Sequence, residues 1–245
     1  MTRYRMTVSY DGTCYAGWQI QPRHTTVQQK LQEAIQQTLR EASIVHGSGR
    51  TDRGVHARRQ VAHFDLSEPR EPRRIFRSLN AVLPSDIRVM SVRKTGSDFH
   101  ARRHAREKEY RYFIWNDATV PPFLRLYRTH VREPLDVDAM RKAARLLKGR
   151  HDFAAFTANA KNEVESTVRS LRELAVRQRG AEIVIVARSE GFLYKMVRSL
   201  AGFLIRVGSG EAPSDQAETI LKSRQRTARV PTAPPEGLFL WQVTY

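Results

Sequence analysis

Apolar residues in this sequence repeat at every second position in some segments and at every third or fourth in others, and the two patterns alternate along most of the chain. The first pattern sets apolar side chains on one face of a strand, the second on one stripe of a helix. Short segments of both kinds in turn suggest sheets with helices covering one face. Tyr4, Met6, Val8 and Tyr10 alternate with Arg5, Thr7 and Ser9, which predicts a half-buried strand that Asp11-Gly12 breaks. Val27, Leu31, Ala34, Ile35 and Leu39 predict a helix over 26–41, capped by Thr25 or Thr26. Residues 46–59 carry no apolar period and include Gly47, Gly49 and Gly54, so they read as a loop, with a strand from Gln60 to Leu66 after it. Ile75, Phe76, Leu79 and Val82 predict a helix from Pro72, where proline is tolerated, to Leu83 before Pro84. Ile87 to Val92 reads as another strand.

The second half repeats the plan. Tyr110, Tyr112 and Ile114 alternate with Arg111, Phe113 and Trp115 in a strand over 109–115, and Pro121-Pro122 is a break. Asp136 or Asp138 caps a helix through Leu147 that Gly149 closes. Arg169 to Gln178 and Ala181 to Ala187 predict a hairpin turning near Gly180. Phe192, Met196, Leu200, Phe203, Leu204 and Val207 predict an amphipathic helix over 192–207. A shorter helix over 213–222 and a strand over 238–243 complete the chain. The expectation is an α+β fold of two similar mixed domains, 1–104 and 105–245. Each would be an antiparallel sheet with helices on one face, the sheets joined around a central basic cleft suited to RNA.

Charge narrows the partners. The 245 residues hold 42 Lys and Arg against 25 Asp and Glu, a net charge of +17. Such an excess points to a polyanion, because each Lys or Arg placed on a phosphate releases condensed counterions. The preponderance of Arg suits RNA, since a guanidinium both forks onto phosphate and stacks on bases. Charge alone separates neither DNA from RNA nor enzyme from binder. Cys14 is the only cysteine, which excludes an intramolecular disulfide and a Cys-based zinc site. The polar, strand-like start and the lack of any apolar run near ~18 residues predict a soluble cytoplasmic protein without membrane contact.

The densest polar stretch runs from His46 to Ala57. Gly47-Ser48-Gly49 lacks the third glycine of a dinucleotide fingerprint, because position 52 is Asp, and no Gly-Lys-Ser/Thr phosphate loop is present. Among glycines, Asp52 reads either as a turn or cap residue or as a working carboxylate. Arg50 and Arg53 beside it favour the second, since a neighbouring guanidinium keeps a carboxylate ionised and nucleophilic even when partly buried.

The run Gly49-Arg50-Thr51-Asp52-Arg53-Gly54-Val55-His56-Ala57 resembles the active-site signature of the tRNA pseudouridine synthase A family. Further segments resemble that family's landmarks in order. They are Tyr10-Asp11-Gly12-Thr13 with Gly17-Trp18-Gln19, Thr26-Val27-Gln28, Leu79-Asn80, Leu83-Pro84-Ser85-Asp86-Ile87, Phe99-His100-Ala101-Arg102 and Tyr110-Arg111-Tyr112. Met196-Val197-Arg198 and Ala233-Pro234-Pro235-Glu236-Gly237-Leu238 close the series. The similarity spans nearly the whole chain; it departs at Arg53, where many members have a small residue.

The resemblance implies an isomerase, an intramolecular transferase that turns uridine into pseudouridine at positions 38, 39 and 40 of the tRNA anticodon stem-loop. It implies no cofactor, no metal and a homodimer. Asp52 would be the catalytic carboxylate, adding to the base, trapping ribose C1′ or taking a proton from C2′. Tyr110 would stack on uracil and serve as acid/base, unless it is a packed strand residue like Tyr112. Arg198 would partner Asp52, unless it is a solvated helix residue. Arg50 would orient the flipped base or the backbone, and Leu238 would wall the pocket, with plain loop charge and core packing as the alternatives. Arg53, Arg58, Arg59, Arg102 and Arg103, with Arg106 and Lys108, would hold phosphates or remain surface charges. Two other readings compete: a non-catalytic two-domain RNA-binding protein, and a metal-dependent nuclease using Asp52, His56 and His63.

Overall fold

The alternation at the start of the chain is real: β1 (Thr2–Tyr10) buries Tyr4, Met6, Val8 and Tyr10 in a computed structural model that describes residues 1–158 and 166–245. The architecture is α+β, and its internal contacts define two units, residues 1–106 with 239–245 and residues 107–238.

In the first unit, α1 (Val27–Leu39) starts at Thr26, whose hydroxyl accepts the Gln29 N–H, and ends at Arg40 in the left-handed region, φ 60°. Then follow β2 (His46–Gly47), β3 (His56–Leu66), α2 (Pro72–Val82) and β4 (Ile87–Lys94). β1 lies between β3 and β4 and runs antiparallel to both, with Thr2 opposite Leu66 and Tyr4 opposite Lys94. β2 takes the other edge of β3, where His46 faces His63. The Glu71 carboxylate caps α2 on the Arg73 and Arg74 N–H groups, and Leu83 leaves helical geometry just before Pro84. Ile75 and Leu79 are its buried stripe, and the Asn80 amide pins it to β4 by exchanging two hydrogen bonds with the Val89 backbone, at 2.8 and 2.9 Å.

The second unit begins with β5 (Glu107–Asn116), β6 (Thr129–Val131), α3 (Val137–Leu147) and β7 (Gly149–Asp152). β8 (Val168–Arg179), β9 (Glu182–Ser189), α4 (Met196–Gly208) and α5 (Gln216–Ser223) follow. The strand order is β5-β9-β8-β7, all antiparallel, and the β8–β9 hairpin turns at Gly180 with φ 58°. Asp136, not Asp138, caps α3 by accepting from the Asp138 and Ala139 N–H groups. The last strand, β10 (Leu238–Thr244), sets Phe239 opposite His56 and Leu240 opposite Ala57.

Several features differ from the sequence expectation. The sheets are mixed rather than purely antiparallel, because β10 runs parallel to β3 and β6 parallel to β5. Residues 105–245 do not all stay together, since β10 from Phe239 onward belongs with the first unit. β2, β6 and β7 are too short to display a period. α4 starts at Met196 rather than Phe192: Lys195 sits in the left-handed region at φ 56°, and the Tyr194 carbonyl accepts the Ala158 N–H at 3.1 Å instead of a helical bond. No helix among the described residues is long and apolar enough to cross a membrane.

Where β2 meets β3, His46 stacks on His63 with ring centroids 4.9 Å apart, and the His100 ring lies 4.8 Å from His63. The His63 Nδ1 accepts the Ala101 N–H, which requires that nitrogen to be unprotonated. Burial, and then the charges of His46, His100 and Arg3, push His63 down to about 4, with Asp65 opposing. Between the ordinary imidazole range and pH 4 the unfolded chain therefore binds more protons than the folded one, and stability rises with pH through that window. Urea denaturation should show stability falling as pH drops from about 6.5 toward 4. His63→Asn, whose amide oxygen can take over the acceptor role, should flatten that slope; an unchanged slope would place its origin elsewhere.

Candidate active site

The loop carrying Asp52 exists because β2 and β3 are offset. β2 ends at Gly47 opposite Ala62, β3 begins at His56, and residues 48–55 must bridge the gap. Both ends of the bridge are tied down. The Ser48 N–H donates to the Val61 carbonyl at 2.8 Å, and the Ser48 hydroxyl reaches the buried Gln60 amide oxygen at 2.6 Å. Gln60 in turn donates to the Gly49 carbonyl at 2.9 Å. The Val55 N–H closes a turn onto the Asp52 carbonyl at 3.1 Å, with Gly54 supplying the positive φ of 78°.

The segment after β1 forms the back of this loop. The Trp18 N–H donates to the Thr51 carbonyl at 3.1 Å, and the Gly54 N–H donates to the Tyr15 carbonyl at 3.4 Å. The Tyr10 and Thr51 hydroxyls meet at 2.8 Å, and burial raises the Tyr10 phenol well above its ordinary value, so it stays protonated. Two glycines permit the approach. A Cβ on Gly12 would lie 2.0 Å from the Val55 carbonyl oxygen, and one on Gly17, at φ 98°, would lie 2.5 Å from that of Thr51. The Trp18 indole rests on Gly47, where a Cβ would fall 2.6 Å from the ring. Asp52 is thus half-buried on a loop whose neighbours on both sides, Thr51 and Val55, are fixed by backbone bonds.

Arg50 and Arg53 flank Asp52 and are exposed. Arg58 and Arg59 are exposed together although they are consecutive in a strand. Val8 faces Gln60 and Tyr10 faces Ala57, so Ser9 alone stands opposite both arginines, and this bulge turns both side chains outward. The Arg58 guanidinium lies 4.4 Å above the Trp241 ring. Arg102 and Arg103 are exposed in the turn after Phe99, and Arg106 is exposed with its N–H bonded to the Thr244 carbonyl at 2.9 Å. Lys108 is half-exposed near the start of β5.

Tyr110, Arg198 and Leu238 belong to the second unit. Tyr110 and Tyr112 share a face of β5, as alternation requires, but their environments differ. Tyr112 is fully buried; its hydroxyl donates to the Pro234 carbonyl at 2.9 Å and meets Thr129, and burial raises its pKa. Tyr110 is 8% exposed and meets the Phe192 ring edge-on at 5.1 Å. Arg198, half-buried on the first turns of α4, donates through Nε to the Ala233 carbonyl at 2.7 Å, and its charge is felt by the Tyr112 phenol. That bond and the Ala233 N–H to Arg198 carbonyl bond hold the segment before Leu238 against α4. Leu238 is buried.

The histidines required by a nuclease are otherwise engaged: His56 Nδ1 accepts the Gly12 N–H at 3.0 Å, and His63 lies in the imidazole stack. No group of three His, Cys, Asp or Glu among the described residues is placed to hold a metal ion. Sequence reading did not assign the loop's supports, Tyr10, Gly12, Gly17, Trp18 and Gln60, to the Asp52 loop. The first four stood out as a family landmark and Gln60 as the start of a strand, because partners so far apart in the chain leave no local pattern that pairs them.

Comparison with known proteins bears on these residues. A family model described as tRNA pseudouridine synthase matches residues 6–102 and 143–245. A tRNA pseudouridine synthase A of Halalkalibacterium halodurans is 45% identical over 239 residues, covering 97% of this chain and 90% of the relative. A protein of the same name from Brevibacillus brevis is 43% identical with both chains fully covered, and one from Rhodospirillum rubrum is 44% identical over 100% of this chain and 88% of the relative.

The glycine approach can be tested without any assay of function. Gly17→Ala should destabilise the fold by about 1–3 kcal/mol, from left-handed strain plus the clash with Thr51, and should speed hydrogen exchange in residues 48–55. Gly180→Ala also has a positive φ, at 58° within the left-handed region, with open space around it; it should cost only a milder strain and leave that loop's exchange unchanged. Equal exchange in both variants would mean that the approach of Gly17 does not hold the loop.

Proposed function

Because the chain belongs to the tRNA pseudouridine synthase family, we propose that it isomerises uridine to pseudouridine in tRNA, at positions 38, 39 and 40 of the anticodon stem-loop. The observation that carries this reading is the half-buried Asp52 on a loop held from behind by Gly12, Gly17 and Tyr10, within the matched residues 6–102.

The reaction breaks the bond from uracil N1 to ribose C1′, turns the base and forms a bond from C5 to C1′. N1 gains a proton and C5 loses one, so substrate and product have the same composition and no donor or oxidant is consumed. A carboxylate, an acid/base and fixed positive charge answer these needs. In this proposal Asp52 is the catalytic carboxylate, acting on the base, at C1′ or at C2′. Tyr110 stacks on the uracil and exchanges a proton through its hydroxyl, while Tyr112 is held to structure by its bonds to Pro234 and Thr129. Arg198 is the partner of Asp52, Arg50 orients the extruded base, and Leu238 walls the pocket. Arg53, Arg58, Arg59, Arg102 and Arg103 hold backbone phosphates around it. A uridine in a loop or at a stem end can be extruded for only a few kcal/mol. The assembly is a homodimer and the compartment the cytoplasm, both by family likeness.

The test uses an unmodified tRNA with uridines at 38 to 40, in EDTA and without added cofactor. Wild type should form pseudouridine, and Asp52→Asn should bind the tRNA while turning over roughly 10²–10⁴-fold more slowly. Tight binding by both proteins with conversion by neither would leave the non-catalytic RNA-binding protein as the better reading.

A further inference from the structure

Resting on that reading, we propose that the outer face of α2 is a separate docking surface for the phosphate backbone of the RNA, outside the group of residues that handle the reacting uridine. Arg73, Arg74 and Arg77 are spaced i, i+1 and i+4, which brings them onto one side of the helix, and Arg70 immediately precedes its N-cap. That side is opposite buried Ile75 and Leu79; Arg73, Arg74 and Arg77 are exposed and Arg70 half-exposed.

Each of the other helices has at least one basic residue with an acidic partner. Lys30 meets Glu33 at 2.8 Å on α1, Arg141 meets Asp138 at 2.8 Å on α3, and Lys222 meets Glu218 at 3.9 Å on α5. Arg206 on α4 meets Glu211 at 3.0 Å. Among the described residues, none of the α2 arginines makes an ion pair. The nearest carboxylate in sequence, Glu71, has both oxygens on backbone N–H groups, at 3.0 and 2.7 Å. Arg73 and Arg74 also lie in the first helical turn, where the helix dipole disfavours a cation, and Arg70, Arg73, Arg74 and Arg77 repel one another at neighbouring positions. An external anion reverses each of these penalties.

The surface is rigid, which suits docking. Both the N–H and the carbonyl of Arg70 are bonded to the buried Tyr4 hydroxyl, at 2.6 and 2.7 Å, and Asn80 ties the far end to β4. From Arg73 to Arg77 the face runs about 6 Å along the axis. Phosphates along one strand of a duplex are spaced by about 3.4 Å of its axis, so the face spans about two. It offers charge without the apolar centre of a protein interface, which favours nucleic acid over an acidic protein. The strand order separates it from the Asp52 loop: that loop joins β2 to β3, α2 packs on β4, and β1 lies between β3 and β4. The docking face therefore positions the RNA without reading a base or touching the reacting nucleotide.

The experiment replaces Arg70, Arg73, Arg74 and Arg77 together by Gln, and separately by Lys. Gln keeps the helix, which circular dichroism and thermal melting would verify. Binding of unmodified tRNA is measured against salt, and pseudouridine formation as KM and kcat. The Gln variant should bind about tenfold or more weakly near 150 mM salt, with a shallower salt dependence, by roughly 0.7–0.9 for each phosphate that is no longer neutralised. KM should rise in parallel with kcat unchanged, and the Lys variant should recover most of the binding. Wild-type affinity and salt slope in the Gln variant would overturn the proposal, as would a fall in kcat at constant KM. So would loss of binding to polyglutamate with tRNA binding intact, which would assign the face to an acidic protein. The binding arm needs no turnover: if wild type forms no pseudouridine but the Gln variant still loses tRNA, the docking surface stands and the catalytic reading falls.

Discussion

The structure around Asp52 depends on two stretches of backbone lying closer than any side chain would allow. Residues 11–18 and residues 51–55 meet main chain to main chain, through the Trp18 N–H on Thr51 and the Gly54 N–H on Tyr15, and through van der Waals approach at Gly12 and Gly17. A polar loop left to itself would satisfy its N–H and carbonyl groups with water and sample many conformations. Here the partners come from the protein, so the loop is fixed before any ligand arrives. The tyrosine at the end of β1 extends the same logic. Tyr10 is buried with Thr51 as its partner, which makes the last buried residue of the strand also a support of the residue next to Asp52. A preorganised carboxylate does not have to be ordered during the reaction, which is the usual advantage of building a site on rigid supports.

Charge is handled differently in different parts of the chain. On β5, β9 and β8 the pairing runs straight across the strands: Glu109 faces Arg188, and Arg188 faces Glu173. Glu109 is 6% exposed and holds both Arg111 at 2.6 Å and Arg188 at 2.8 Å. Only removing both arginines would leave the buried Glu109 carboxylate without a partner, a larger penalty than either pair's net worth. The cations there are structural. The +17 excess resides instead where acids are missing, as on α2 and in the bulge that turns Arg58 and Arg59 outward together. Net charge alone announces a polyanion partner; the geometry distinguishes arginines that bind the protein to itself from those available to something else.

Much of the fold was legible because most elements are half-buried and so carry a clean period: β1, α1, α2, β5 and the β8–β9 hairpin fall where alternation and helical spacing put them. The rest was hidden for identifiable reasons. The bulge at Ser9 exposes two successive residues, which erased the alternation at the start of β3 and made His56 to Arg59 look like loop. Phe192 continues the apolar stripe of α4 in sequence, but Lys195 in the left-handed region ends the helix and Phe192 packs against Tyr110 instead. The parallel pairing of β10 with β3 joins residues nearly two hundred positions apart, and no local pattern reports it. In the site, Asp52 and its flanking arginines were visible as a polar run. Gly12 and Gly17 were visible only as members of a family motif, because what they do is leave room, and an empty position has no chemistry to read.

The two tyrosines of β5 show how environment resolves what periodicity leaves open. Both lie on the same face, so alternation gives either an equal claim to a role in chemistry. The Tyr112 hydroxyl is committed: it donates to the Pro234 carbonyl and meets Thr129, which also contacts Glu236 at 3.2 Å. Its ring underlies Gly237, where a Cβ would sit 3.0 Å from it, and the Gly237 carbonyl accepts the Phe113 N–H at 2.8 Å. Taking its proton would unmake the bonds that fix residues 234–237, and burial already opposes the charge that would result. Tyr110 is 8% exposed and has an aromatic edge beside it. Recruiting Tyr112 to exchange a proton with a flat heterocycle would therefore cost the bonds that hold residues 234–237 in place, a cost that the environment shows and periodicity does not.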